Sequence, residues 1–295
     1  MRPNICKSVA VIILVSLTLL PIGCTKEKAE AVKTAAEHFR VQADKALEAT
    51  SSLVKESVNT LPQEKEAELK ALVRQLENQP TEQLQGTISG VMDRYKVTRA
   101  ANRSIDAEFG NMMNEYAVFA SMFDNLPRGH LFAKDAVASA ERHAIRLTLR
   151  FVKMASEIDH RPVTFEARRN QLVVDLMAAR LIPDQRDRSQ AIQIVAQKAI
   201  DLRAAEAKAN EDAILQCLRA AEAGKSSAEL IRNYSKMSVA DIVAAVSESL
   251  GVINDITGGE NAKLKTLIGK YNSFVDSKVK TDPLWKSVWD TDVNL

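Results

Sequence analysis

DQRDRSQAIQIVAQKAIDLRAAEAKANEDAILQCLRAAE, residues 184–222, carries apolar side chains at the three- and four-residue spacing of an α-helix. Ile192, Val195, Ala199 and Leu202 belong to a heptad-like series, and charged or amide side chains occupy many of the other positions in the stretch. This period indicates an amphipathic helix that buries one face. Gly224 stands where a C-terminal cap is expected, so the sequence predicts that the helix ends there.

The same helical period extends over most of the chain. Proline and glycine separate the segments, and alternating strand patterns are nearly absent. Ser226 with Glu229, and Ser238 with Asp241, resemble capping arrangements that begin helices. Besides the stretch quoted above, the predicted helices run over about 28–58, 63–78, 81–125, from the turn at 126–129 to 158, 164–182, 227–235, 238–256, 260–278, and a short last helix that starts at Asp282 and Pro283.

These segments predict an all-α protein in which long antiparallel helices form an elongated bundle with a smaller C-terminal helical cluster. A break near 223–226 is the predicted boundary between a long-helix part, 24–224, and shorter helices in 225–295; the alternative is that both parts form one domain. Hydrophobic residues make up 46% of the chain but aromatic residues only 5%. The core must therefore come mainly from aliphatic side chains, which fits closely packed helices.

The N-terminus has the pattern of a secretory signal. Arg2 and Lys7 precede an uncharged apolar run, SVAVIILVSLTLL, at 8–20. That run has the length of the apolar part of a signal peptide. It is too short to cross a bilayer, which takes roughly 20 apolar residues. The sequence predicts that residues 1–23 are cleaved off.

The segment LLPIGC at 19–24 resembles the lipobox of bacterial lipoproteins. Gly23 and Cys24 match that pattern, whereas Pro21 stands where the family usually has leucine. The resemblance implies cleavage between Gly23 and Cys24, lipid on Cys24, and a membrane contact through that lipid. Thr25 replaces the Asp of an inner-membrane retention signal, which favours an outer-membrane lipoprotein facing the periplasm. The alternative is an ordinary signal peptide that contains a cysteine.

The charge balance argues against nucleic acid as a partner. The chain has 40 basic and 38 acidic residues. Removal of the signal takes away two basic residues, Arg2 and Lys7, and leaves 38 of each sign. Without a net positive field or a long basic run, the sequence predicts no nucleic-acid binding.

Motifs of known chemistry are missing from the sequence. It contains no H-E-x-x-H metal motif, no G-x-S-x-G nucleophile elbow and no phosphate-binding glycine loop. Paired carboxylates are frequent on charged helices, where a solvated face is the ordinary explanation. We therefore predict no catalytic residue, no metal and no cofactor, and favour a protein that is not an enzyme.

Three residues outside the signal stand out. Trp285 and Trp289 are the only tryptophans and share a helical face, because they are four residues apart. Tryptophan is enriched in interfaces, so the pair is a candidate partner contact; the alternative is that it fills the domain's own core. Cys217 has apolar neighbours in the sequence, and this pattern predicts that its thiol is buried.

These observations predict a membrane-anchored envelope lipoprotein that binds another protein or supports an assembly. One alternative is a membrane-active helical protein, such as a pore former or lipid-binding module, whose apolar faces would first have to open out. Another is an enzyme of unrecognised motif that acts on cell-wall material. The sequence leaves the partner and the oligomeric state open.

Overall fold

A computed structural model of the chain describes residues 24–58, 105–122, 134–233, 236–256 and 261–293. Within these ranges the secondary structure is helical, and no strand occurs. The all-α prediction is confirmed. In chain order the helices are α1 (Cys24–Val58), α2 (105–122), α3 (Lys134–His160), α4 (Glu166–Arg180), α5 (Gln185–Asn233), α6 (Val239–Asp255), α7 (Asn261–Thr281) and α8 (Pro283–Val288), followed by one π-helical turn, Trp289–Val293.

Helices α1 and α5 pack antiparallel in the centre of the molecule. Thr50 Oγ1 of α1 lies 3.7 Å from Cys217 Sγ of α5. Phe39, earlier in α1, lies beside Gly224, later in α5. Thr148 of α3 lies beside the same glycine. The three helices therefore meet at one level of the bundle.

Helix α2 completes the bundle on the other side of α1 and α3. Its Phe119 stacks edge-to-face on Phe39 at a centroid distance of 5.0 Å, and Phe151 of α3 lies 6.5 Å from the same ring. All three rings are fully buried. Edge-to-face pairs at this distance add to the hydrophobic gain from burial. The aliphatic core predicted from the composition is thus centred on a small aromatic cluster.

Helix α5 is much longer than the bundle that it crosses. Its 49 residues span about 74 Å at the α-helical rise. The second half packs in the bundle, and the first half pairs with α4. Arg169 binds Glu206 and Asp175 binds Lys198, so α4 and α5 run antiparallel. We call this unit, 166–208, the α4–α5 hairpin.

The link between α3 and α4 is fixed to α5 by buried polar side chains. Asn210 Oδ1 accepts from the Val163 amide, and Asn210 Nδ2 donates to the Val163 carbonyl, both at 2.8 Å. Glu206 Oε1 accepts from the Phe165 amide at 2.8 Å. Glu206 is 5% exposed and Asn210 6%. These bonds satisfy backbone groups of a non-helical link and hold the base of the hairpin.

The C-terminal helices return along the bundle. Helix α6 packs on α5 and α1, and α7 packs on α3 and α5. Ser238 and Asp241 form the predicted capping box at the start of α6. Asp282 caps α8, whose first residue is Pro283, as the sequence predicts.

The predicted helix end at Gly224 is wrong. Helix α5 continues to Asn233, so Ser226 and Glu229 do not begin a new helix. Gly224 is needed for packing, because a β-carbon there would lie 2.3 Å from the Thr148 hydroxyl oxygen. The helix also passes through 223–226, where the sequence analysis places a domain boundary.

Other helix limits shift by a few residues. Helix α1 begins at Cys24 instead of 28, and α7 ends at Thr281 instead of 278. The predicted helix at 63–78 lies outside the described residues. Of the one predicted at 81–125, only 105–122 are described, and they are helical throughout.

Candidate functional site

The residues singled out by the sequence lie on different helices of the structure. Cys24 is the first residue of α1, and Gly23 lies outside the described residues. Trp285 is 1% exposed and stacks edge-to-face on Phe274 at 5.4 Å, while Trp289 is half-buried against the core. Both tryptophans thus pack inward, as the intramolecular alternative predicts. A partner contact through them stays a prediction.

The most elaborate polar cluster lies elsewhere, on α3. Four cations, Arg142, Arg146, Arg150 and Lys153, follow one another at spacings of four, four and three residues, and so share a helical face. We call them the cationic stripe. Arg146 and Arg150 are only 17% and 12% exposed. Charges this deeply placed need partners, and two other segments of the chain supply them.

Helix α2 supplies two glutamates. Glu115 accepts from Arg146 Nη1 at 2.8 Å and lies 2.5 Å from His143 Nδ1. Glu108 accepts from Arg150 Nη1 at 2.7 Å and from Lys153 Nζ at 3.3 Å. The two glutamates are seven residues apart, which is two helical turns, and so both face α3. Their order sets α2 antiparallel to α3.

The C-terminal turn supplies the remaining partners. Asp292 Oδ2 accepts from Arg146 Nη2 at 2.7 Å and from Arg142 Nη2 at 3.3 Å. The Asp292 carbonyl accepts from Arg150 Nη2 at 2.6 Å, and the Val293 carbonyl accepts from Lys153 Nζ at 2.8 Å. The turn is therefore attached to the stripe through one carboxylate and two backbone oxygens.

The electrostatics of the cluster favour charged groups. Burial alone would raise the pKa of Glu115, but hydrogen bonds from His143 and Arg146 outweigh it and lower that pKa. The pKa of Asp292 is lowered in the same way, because the bonds from Arg146 and Thr291 outweigh its burial. A general base works best with a pKa near the working pH. Glu115 is shifted the opposite way, so the geometry suits fixed ion pairing better than proton transfer.

Sequence reasoning missed this cluster. It treated charged side chains on helices as solvated faces. The available signal was a run of cations on one face of α3 together with two glutamates one heptad apart in α2. That signal does not say which helices are neighbours, and the third member, Asp292, comes from the far end of the chain.

Two further observations concern ligands and membranes. Among the residues that the structure describes, no group of three His, Cys, Asp or Glu side chains is arranged to hold a metal ion. No described helix is both long enough and apolar enough to cross a bilayer. The predictions of no metal and no cofactor stay predictions.

The α4–α5 hairpin offers a different kind of surface. Its tip and its outer faces expose three large apolar side chains, Leu181 at 49%, Ile194 at 51% and Ile200 at 60%. Gln190 and Gln193 are also exposed along α5.

Comparison with known proteins finds no match for this chain among family models, curated proteins or solved structures.

Proposed function

We propose that this chain is a lipid-anchored, non-enzymatic component of the bacterial cell envelope that carries the α4–α5 hairpin away from its membrane for contact with another envelope protein. The observation that carries the proposal is the position of Cys24. This predicted lipid-bearing residue is the first residue of α1. Because α1 is antiparallel to α5, the hairpin points away from the anchor.

The geometry supports a rigid spacer. No linker separates Cys24 from the bundle, since the helix starts at that residue. The end of α5 at Asn233 lies toward the anchor end of the bundle, because Gly224 is beside Phe39 and the two helices are antiparallel. The hairpin tip at Gln185 is about 70 Å from Asn233 along the same helix. Asn210 and Glu206 fix the link between α3 and α4 to α5 at the base of the hairpin. A rigid arm of this length suits a structural or docking role at a distance from the lipid surface.

The side chains support a protein as the partner. Exposed Ile194 and Ile200, beside uncharged Gln190 and Gln193, form a mixed surface of the kind that other proteins contact. Thr25 after Cys24 supports an outer-membrane location that faces the periplasm.

The anchor is tested by the intact mass of membrane-extracted protein, wild type beside Cys24→Ala. We expect the wild type to have the mass of residues 24–295 plus lipid, and the variant to lose the lipid and leave the membrane fraction. An unlipidated chain in the wild type would contradict the anchor and favour a freely secreted protein.

The orientation is tested by fluorescence energy transfer to a dye in the lipid headgroups. One donor replaces Asp187 at the hairpin tip, and a control donor replaces Lys236 near the start of α6; both positions are exposed. Asp241, in the first turn of α6, interacts with Lys28 near the start of α1, which places the control near the anchor. We expect efficient transfer from 236 and almost none from 187, because about 70 Å exceeds the usual transfer range. Equal energy transfer from positions 187 and 236 would contradict a bundle whose long axis points away from the membrane surface.

The partner is sought with a photo-crosslinking residue at Gln193 and a control at the exposed Lys265 of α7. We expect an adduct with a specific envelope protein from position 193 and none from 265. If neither position captures a protein, the docking role is wrong. Leakage of dye from liposomes caused by the full chain would instead favour the membrane-active alternative.

A further inference from the structure

The cations of α3 hold two segments at once. Arg146 binds Glu115 of α2 with Nη1 and Asp292 of the C-terminal turn with Nη2. Arg150 divides its two terminal nitrogens between Glu108 and the Asp292 carbonyl. Each guanidinium therefore joins α2 to the end of the chain. Lys153 repeats the arrangement with Glu108 and the Val293 carbonyl.

We propose that the turn Trp289–Val293 is a strap that locks α2 into the bundle through these shared cations, so that release of the strap loosens α2. Neither segment needs to touch the other for this effect. The strap fixes the positions of the guanidinium groups, and the fixed groups then hold the glutamates of α2. Loss of the strap leaves those groups free to move and less well paired.

The strap is attached by the polar bonds described above and by two apolar side chains, the buried Val293 and Trp289, which is half-buried against the core. Asp290 is half-exposed. Trp285 and Val288, which are fully buried, belong to α8 and anchor the chain just before the strap. The last turn can therefore detach while α8 stays in place.

Helix α2 covers apolar surface that its release would expose. Ile105, Met112 and Phe119 are 2%, 0% and 0% exposed, and they face the inside of the bundle. The Phe119 ring packs edge-to-face on Phe39 of α1. If α2 loosens, the apolar surface between α2 and the rest of the bundle becomes accessible to lipid or to another protein. Any opening of the apolar faces of the bundle at α2 would therefore require the strap to detach first.

The charge balance shows what Asp292 contributes. The stripe has four cations, while α2 brings two carboxylates, Glu108 and Glu115. Asp292 adds the third and is placed between Arg142 and Arg146. Its neutralisation would leave the four cations with two carboxylates, and this larger partly buried excess of positive charge is costly unless the segments separate and let in water.

The test is hydrogen–deuterium exchange of the full chain with Asp292→Asn, beside Asp290→Asn as a matched control. Asp290 is two residues away and pairs only with the exposed Lys286 among its ion pairs in the described residues. We expect Asp292→Asn to speed exchange about tenfold in 105–122, the change that loss of a hydrogen bond to a charged group produces. Asp290→Asn should leave those amides unchanged.

A second variant tests whether the coupling also runs from α2 to the strap. Glu115→Gln weakens the α2 side of Arg146 and should speed exchange of the amides in 289–293. Helix α6 serves as the internal reference in each variant, since it packs on α5 and α1. Unchanged exchange in 105–122 with Asp292→Asn would overturn the proposal. A uniform rise that includes α6 would overturn it as well, because the effect would then be general destabilisation.

Discussion

Gly224 of α5 is packed so closely against Thr148 of α3 that a β-carbon at position 224 would lie 2.3 Å from the Thr148 hydroxyl oxygen. The same β-carbon would lie 2.7 Å from Cζ of Phe39 in α1. Thr148 is 1% exposed and Phe39 is fully buried, so neither can move aside without disturbing other contacts. The missing side chain lets three helices approach at this level.

Gly224→Ala is therefore expected to destabilise the protein, although alanine is the better helix former. Overpacking of this kind costs about 1–3 kcal/mol, which urea denaturation would measure. Gly251→Ala in α6 is the control, because no atom lies within 4 Å of a β-carbon there. That change should stabilise by up to about 1 kcal/mol. Equal effects at both positions would contradict the close packing.

Cys217 should be almost inert in the folded protein. Burial raises the pKa of its thiol to about 12, and the hydrogen bond with Thr50 offsets this only in part. Only the thiolate attacks an alkylating reagent. In a chain from residue 24 with Cys24→Ser, we expect maleimide labelling of Cys217 to proceed at the rate of unfolding and to be fast in urea. Fast labelling under native conditions would show that the core around Thr50 opens.

Asn210→Ala should loosen the base of the hairpin. The change leaves the buried amide and carbonyl of Val163 without their side-chain partner. Each unsatisfied group costs about 1–3 kcal/mol, so we expect the two groups together to lower the free energy of unfolding by about 2–6 kcal/mol, as measured by denaturation. The exposed Gln193→Ala on the same helix should stay within about 0.5 kcal/mol of the wild type. A neutral Asn210→Ala would mean that water replaces the lost bonds.

Acid should weaken the attachment of the C-terminal turn. Burial would raise the pKa values of Glu115 and Asp292, but both are lowered from their ordinary values of 4.5 and 3.8. The hydrogen bonds from His143 and Arg146 to Glu115, and from Arg146 and Thr291 to Asp292, outweigh burial. A lowered carboxyl pKa gives stability that is present above the ordinary value and is lost as the pH falls through the folded-state value. We expect the free energy of unfolding to drop below about pH 4.

Glu115→Gln combined with Asp292→Asn should flatten that drop, since the groups that take up protons are gone. The double variant is expected to be less stable than the wild type at pH 7 and to approach it at pH 3. Asp290→Asn is the matched control and should keep the wild-type slope. An unchanged slope in the double variant would assign the acid sensitivity to other carboxylates.

The two tryptophans should differ in importance. Trp285 is 1% exposed and packs on Phe274, whereas Trp289 is only half-buried. Trp285→Ala is expected to cost about 3–5 kcal/mol and Trp289→Ala clearly less, as measured by denaturation. Similar small losses would mean that the C-terminal helix is not part of the core.

The helical period was enough to predict the architecture, because each long helix buries one apolar face whatever its neighbours are. It was not enough to interpret Gly224. A glycine that ends a helix and a glycine that admits a neighbour look alike in sequence. The difference depends on Phe39 and Thr148, which lie in other helices. Ser238 and Asp282 were recognised correctly, since a capping residue acts on backbone that follows at once.

The cluster on α3 was beyond sequence reasoning for a related reason. The spacing of Arg146 and Arg150 is that of an ordinary solvated helix face. Their burial arises only when α2 and the turn Trp289–Val293 cover them. Asp292 is separated from Arg146 by 146 residues, and a helical period carries no information over that distance.

The antiparallel pairing of α1 with α5 has a consequence for how the chain folds. Thr50 meets Cys217 across 167 residues, so α1 acquires this partner only after a long further stretch of chain has been synthesised. Closing loops of this size costs entropy before any contact is gained, and high contact order slows folding. A nascent chain that stops short of α5 can pack α2 and α3 around Phe39. The part of α1 around Thr50, which α5 buries, would still be uncovered. Truncation before α5 is therefore expected to leave apolar surface of α1 exposed.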